Sequence, residues 1–151
     1  MDITIRKAEK KDLECILALY SQPDMDNGEV LDIEEAERIF DKMGRYPDYS
    51  VYVAELDGNI VGTFALAIMD NLAHMGMPSG LIEDVVVSEC FQGRGIGKLM
   101  MNRAIEICRE KGCYKAALSS NLKRKRRTGF TKESVSGSMD TVSVWNCCDM
   151  L

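Results

Sequence analysis

Ile82-Glu83-Asp84-Val85-Val86-Val87, followed after Ser88-Glu89-Cys90-Phe91 by Gln92-Gly93-Arg94-Gly95-Ile96-Gly97, is the stretch on which the fold of this chain turns. The apolar run ending in Val85, Val86 and Val87 reads as a buried strand. From Gly95 to Lys111 apolar residues recur at helical spacing, at Ile96, Leu99, Met100, Ala104, Ile107 and Cys108, and Gly112 closes the helix. The glycines between strand and helix let the backbone approach a ligand closely and take positive φ. A helix start leaves unpaired N–H groups and the positive end of the helix dipole. Together these form an anion site suited to phosphate, and Arg94 and Lys98 add positive charge. A tight turn without a ligand is the plain alternative. Two better-known phosphate loops do not fit. Gly97-Lys98 is followed by Leu99, where the Walker pattern needs Ser or Thr, and the G-x-G-x-x-G spacing is absent.

Upstream, Asp2 to Ala8 alternates and predicts a strand, with Ile3 and Ile5 on one face. Asp12 is placed to cap a helix with Leu13, Ile16, Leu17 and Tyr20 on its apolar side. Gln22 to Gly28 reads as a polar turn. Asp32 with Glu35 predicts a capping box for a second helix, whose apolar side is Ile33, Ala36, Ile39, Phe40 and Met43. Gly44 and Pro47 end it. Tyr49 to Leu56 and Asn59 to Met69 are strands joined by the hairpin signal Asp57-Gly58. Gly80 to Val87 and Tyr114 to Leu118 complete the set of clear strands, so the order predicts a mixed α/β sheet in one domain.

The 151 residues suit a single domain with a real core. A net charge of -5 argues against a general nucleic-acid binder. The six cysteines and the single histidine, His74, lack metal-ligand spacing, so no zinc site is expected. The chain starts without a signal-like segment and contains no membrane-length apolar run, which predicts a cytoplasmic protein with reduced thiols.

The loop and its flanks resemble the GNAT superfamily of acetyl-CoA-dependent N-acetyltransferases, whose signature is an apolar strand followed by [Q/R]-x-x-G-x-[G/A]. Ile82 to Val87 and Gly112-Cys113-Tyr114-Lys115 look like the branch containing glucosamine-6-phosphate acetyltransferases. The resemblance spans residues 2 to 121 in element order, with 80 to 121 the most specific part. It implies a central, mostly antiparallel sheet with helices on both faces and a fourth strand splayed from the fifth. It also implies acetyl-CoA as cosubstrate, its pyrophosphate held by Gln92, Gly93, Arg94, Gly95, Ile96, Gly97 and Lys98. Its pantetheine would lie along Val85, Val86 and Val87, with Asn121 nearby at the end of the fifth strand. An amide at Val86 or Val87 would face the acetyl carbonyl. A primary amine, of a small molecule or a protein, would attack the thioester directly. Glu83 and Asp84 are the candidate bases. Strand alternation predicts that they point to opposite faces, and Glu83 is the favoured one. Cys90 and His74 read as ordinary surface groups. Met69, Met75 and Met77 could line an acceptor pocket, with core the favoured reading for Met69.

After Asn121 the character changes: residues 123–127 are all Lys or Arg, and 128–143 are rich in Ser, Thr and Gly. The domain core is therefore set at residues 1–122 and an atypical tail at 123–151. A weak strand, Thr141 to Trp145, is the only element expected there. The resemblance implies a fourth helix close to R-F-Y-E-x-x-G-F, whose tyrosine protonates the departing thiolate, and two final strands. No tyrosine follows Tyr114. Read one base earlier, codons allowed for Arg127 to Asp149 can spell D-R-F-Y-E-R-I-G-F-R-K-H-G-Y-S-F-G-L-E-L-L and a stop. Two of these codons are forced: Met139-Asp140 gives GGA and Trp145-Asn146 gives GAA. The tail is thus read as out of the ancestral frame, with the closing helix and strands atypical or missing, an open sheet edge that invites a homodimer, and impaired catalysis. Two rival functions follow: an acetyl-CoA-binding domain without catalysis, and a nucleic-acid module using the basic run. The source gene tests the frame: its codons for Arg127 to Asp149 are expected to encode the helix, tyrosine and strands one base earlier, and any other codon choice overturns the reading.

Overall fold

The structure, a computed structural model, describes residues 2–121, 134–136 and 140–146. The elements run β1 (Ile3–Lys7), α1 (Leu13–Tyr20), α2 (Ile33–Met43), β2 (Tyr49–Leu56), β3 (Asn59–Met69), β4 (Ser79–Val87), α3 (Ile96–Glu110), β5 (Lys115–Asn121), β6 (Ser134–Ser136) and β7 (Asp140–Asn146). Among the described residues the strands form one sheet in the order β1-β2-β3-β4-β5-β7-β6. Every pairing is antiparallel except β4 with β5. The mixed α/β class expected from the sequence is the one observed.

The helices divide between the two faces. Phe64, Leu66 and Ile82 pack with Ile96, Met100, Ala104 and Cys108 of α3 in the main core. Tyr52 stacks on Phe64 there, with ring centroids 5.0 Å apart. Alternation sends the neighbouring Ala65 to the other face, where α1 and α2 lie. The close seat of α3 depends on Gly80, because a Cβ at that position would collide with Cys108 Sγ. The β2–β3 hairpin turns as expected, with Asp57 and Gly58 both at positive φ, 51° and 80°.

Several local expectations are corrected. Asp12 does not cap α1; its carboxylate faces Arg6 and accepts from the Glu9 N–H at 2.8 Å. Asp32 does cap α2, accepting from the N–H groups of Glu34 and Glu35, but Glu35 turns away to bind Arg38 at 2.6 Å. Met69 ends β3 and is exposed instead of core.

The tail expectation is corrected in part. β7 pairs with β5 residue by residue from Lys115↔Asn146 to Asn121↔Asp140 without a register shift. Residues 141–145, Thr-Val-Ser-Val-Trp, are mostly β-branched or aromatic, which suits a strand irrespective of ancestry. The β5 edge is therefore covered, and the open-edge argument for a homodimer loses its basis. The expected loss of a helix falls on residues 122–133, which lie outside those described.

Arg6 ties β1, β2 and the start of α1 together. Its guanidinium donates to both oxygens of Asp12, at 2.7 and 3.0 Å, and to Glu55 Oε2 at 2.8 and 3.0 Å. The Asp12 side chain is only 6% exposed, so loss of its partner would strand a charge. The hydrogen bonds from Arg6 outweigh burial and hold the Asp12 carboxyl below the usual carboxylate range. Its stabilisation is therefore present above that range and is lost as pH falls through the depressed value. Arg6→Ala, which leaves the buried Asp12 carboxylate without its guanidinium partner, is expected to cost about 3 kcal/mol in urea unfolding at neutral pH, and to flatten the acid limb of the stability curve. An unchanged midpoint would show that the network is idle.

Candidate functional site

β4 contacts two neighbours along half of its length only. It pairs in parallel with β5 from Ser79↔Lys115 to Ile82↔Leu118 and no further. It stays with β3 through Gly62↔Val87. Residues Glu83 to Val87 therefore border a gap, across which the outer residues of β5, Ser119 to Asn121, continue with β7. The cause is a bulge in β4. Thr63 faces Val86 and Ala65 faces Glu83, so Asp84 and Val85 stand opposite the single residue Phe64. Asp84 takes a left-handed φ of 52° at this bulge, in a residue type that tolerates it.

The bulge corrects the alternation argument. Glu83 is paired directly with Ala65 and so shares its face, and Asp84 lines the same cavity as Ala65. Both carboxylates therefore lie on the α1/α2 side. The cavity has a volume of about 200 Å³. Its walls include Ile16, Tyr20, Phe40, Met43, Tyr49 and Asp84.

Tyr20 and Tyr49 stand beside these carboxylates. Burial, then the nearby Asp84 charge, pushes the Tyr20 phenol well above its ordinary value, although a hydrogen bond shared with Thr63 opposes this. Tyr49 is shifted upward by burial and then by Asp84 and Glu83. Both phenols keep their protons at neutral pH and remain hydrogen-bond donors.

At the end of β4 the chain turns through Glu89–Phe91 into the glycine loop. Gly93 and Gly95 have φ of 76° and 81°, and a Cβ at either would meet nothing, so the space over the loop is open. Gly95 is the N-cap of α3 and, having no side chain, makes no side-chain cap bond to the first turn of the helix. Arg94 lies over the Phe91 ring, 5.1 Å from its centroid. The loop is pinned by the Val87 carbonyl, which accepts from Gln92 Nε2 and from Gln22 Nε2, each at 3.2 Å. Gln22 Oε1 also accepts from the Glu89 N–H at 2.9 Å.

The structure thus brings together Glu83, Asp84, Val85, Val86 and Val87 on one strand end, with Gln92 to Lys98 immediately beyond. Asn121 ends β5. The described cavity is not lined by Met69, Met75 or Met77; Met75 is 97% exposed. His74 stacks on Tyr114, with centroids 4.0 Å apart. Sequence reasoning missed Gln22, Tyr20, Tyr49 and Asp26 as site residues, because Gln22 and Asp26 read as turn residues, Tyr20 as helix core and Tyr49 as strand. Among the described residues no group of three metal-binding side chains occurs.

Known proteins share the family and the fold of this chain. A family model described as "Acetyltransferase (GNAT) family" matches residues 13–130. A glucosamine 6-phosphate N-acetyltransferase of Trypanosoma brucei brucei is 32% identical over 127 residues, 82% of this chain and 83% of the relative. The crystal structure of glucosamine-6-phosphate N-acetyltransferase from Arabidopsis thaliana superposes with a TM-score of 0.76 at 28% identity, covering 91% of this chain and 97% of that one. A PaiA N-acetyltransferase from Thermoplasma acidophilum, solved in complex with coenzyme A, has a TM-score of 0.69 at 20% identity, with 97% and 99% coverage, and shares the fold.

Proposed function

This chain belongs to the GNAT family of acetyltransferases, and from that premise we propose how its own residues carry the reaction. It is an acyltransferase that uses acetyl-CoA as cosubstrate and acetylates an amine. The observation that carries the assignment of roles is the open β4 end running directly into the glycine loop.

The first-turn amides of α3, with Gln92 to Lys98, hold the pyrophosphate. The loop suits this role because its glycines leave clear space where side chains would stand. The exposed backbone of Val85 to Val87 binds the pantetheine as an added strand. The bound thioester supplies the acetyl group. A backbone N–H of Val86 or Val87 stabilises the negative charge that develops on the carbonyl oxygen.

Glu83 acts as the general base, directly or through water. The acceptor arrives as an ammonium ion and gives up one proton to Glu83. Its lone pair attacks the carbonyl carbon, the C–S bond breaks and the second proton leaves the nitrogen as the amide forms. The thiolate takes a proton, from water in the absence of any tyrosine after Tyr114, so one proton is released overall. Asp84, on the cavity wall, draws the ammonium in.

The absence of a later tyrosine favours one alternative, a domain that binds acetyl-CoA with little catalysis. Release of free thiol from acetyl-CoA in the presence of amines separates the two. The acceptor named for the relatives, glucosamine 6-phosphate, belongs among the amines to be tried. A reducing, cytoplasmic setting suits the exposed thiols of Cys15 and Cys90. Among the described residues no helix is long and apolar enough to cross a membrane.

Gly95→Val is expected to abolish coenzyme A binding measured by calorimetry while circular dichroism stays native, since valine is strained at a φ of 81° and its side chain fills the open space over the loop. Full affinity in a folded variant would refute the loop assignment. Glu83→Gln is expected to lower the acetylation rate at neutral pH roughly 10²-fold and to alter the pH–rate profile. A profile identical to that of the unsubstituted chain would remove Glu83 from the mechanism.

A further inference from the structure

Gln22 grips the junction between β4 and the glycine loop from a distant part of the chain. Its carboxamide bonds on both sides of Ser88. Nε2 donates to the Val87 carbonyl at 3.2 Å, and Oε1 accepts from the Glu89 N–H at 2.9 Å. A residue on a neighbouring strand grips an extended chain in the same way, through the carbonyl before one residue and the amide after it. Ser88 itself donates to the Val61 carbonyl of β3 at 2.8 Å. The bonds the turn makes to itself are local. They run from the Phe91 N–H to the Ser88 carbonyl at 2.8 Å and from Gln92 Nε2 to the Val87 carbonyl at 3.2 Å. Gln22 reaches the turn from 65 and 67 residues away. Its own backbone is held: its N–H donates to the Leu19 carbonyl at 3.3 Å, and its carbonyl accepts from the Met25 N–H at 2.9 Å.

We infer that Gln22 is a positioning residue for coenzyme binding, which acts through Val87 and Glu89 to hold the glycine loop in register with the end of β4. The inference rests on the reading of that loop as the pyrophosphate site and deepens it. On that reading one molecule spans both places, its pyrophosphate on the loop and its pantetheine on β4. The separation and angle between them must therefore be fixed for both to bind at once. Glycines make a loop conformationally free, and a loop that is ordered only on binding costs affinity. The Gln22 clamp orders the entry to the loop beforehand. Its chemistry is demanding. The Val87 carbonyl needs a donor and the Glu89 N–H needs an acceptor, so the amide has one usable orientation. A carboxylate has no proton to donate, and a methionine of similar length supplies neither bond. A protonated carboxylic acid supplies both.

The test measures coenzyme A affinity by calorimetry for the full chain, Gln22→Met and Gln22→Glu, with amide hydrogen exchange followed in each. Gln22→Met is expected to weaken coenzyme A binding roughly tenfold through loss of the two hydrogen bonds. Where turnover occurs, KM for acetyl-CoA is expected to rise by the same factor while kcat stays within about twofold. For Gln22→Glu the loss is taken as a ratio to the unsubstituted chain at the same pH. That ratio is expected to be largest near pH 8 and to shrink as pH falls toward about 5, because protonation of the introduced carboxyl restores the donor to Val87. The Gln22→Met ratio is expected to stay flat over the same range. Exchange at residues 89–97 is expected to quicken in Gln22→Met, while that of β3 is unchanged. If the unsubstituted chain binds no coenzyme A, the loop assignment fails, and exchange alone then decides the clamp. If Gln22→Met does not fold, the pH dependence of Gln22→Glu decides it. Full affinity in a folded Gln22→Met variant, a Gln22→Glu loss that does not change with pH, or unaltered loop exchange would each overturn the proposal.

Discussion

The left-handed turn of the backbone at Asp84 is the constraint on which the site depends. A regular β4 would hold both neighbours along its length and leave no gap. The extra residue opposite Phe64 bends the strand, so that β4 follows β3 to Val87 while its pairing with β5 stops at Ile82. The exposed backbone that results is a strand edge inside a sheet, an arrangement a folded protein tolerates where something else will pair with it. Pantetheine is the partner proposed for it. The same bulge turns Glu83 and Asp84 toward one side and gives the site two carboxylates where alternation would have supplied one.

The second requirement is that the strand end and the glycine loop keep a fixed relation. The Val87 carbonyl meets it by accepting from both Gln22 and Gln92. Gln92 comes from the loop itself, whereas Gln22 comes from the segment after α1, so the helix layer that walls the cavity is coupled to the loop proposed to bind phosphate. At the other side of the sheet, Arg6 with Asp12 and Glu55 fixes the start of α1. The cavity therefore lies under a helix anchored near both ends.

Much of this was legible locally. The β2–β3 hairpin follows from strand patterning on either side of Asp57-Gly58, and both strands fall at the expected residues. The helix after the glycine loop follows from its apolar spacing. Three features were not legible. Asp12 looked like a cap because caps and ion-pair partners use the same side chain, and only the proximity of Arg6 decides between them. Met69 looked like core because apolar character was taken to mean burial, whereas it stands exposed at the last position of β3. The β7 strand was foreseen only weakly, because its partner, β5, is distant in sequence.

The sequence by itself determined the fold class, the hairpin, the loop at the start of α3 and the family, because each rests on short-range periodicity or on a motif contained within a few residues. The tertiary structure alone decided the splay of β4, the shared face of Glu83 and Asp84, the clamp from Gln22 and the apolar, acidic character of the cavity. These depend on register between strands and on contacts between segments such as Gln22 and Val87, which no local pattern encodes. A bulge is the clearest case: one residue at φ 52° reverses the facing of its neighbours, and Asp84 carries no sign of it until Phe64 is set opposite.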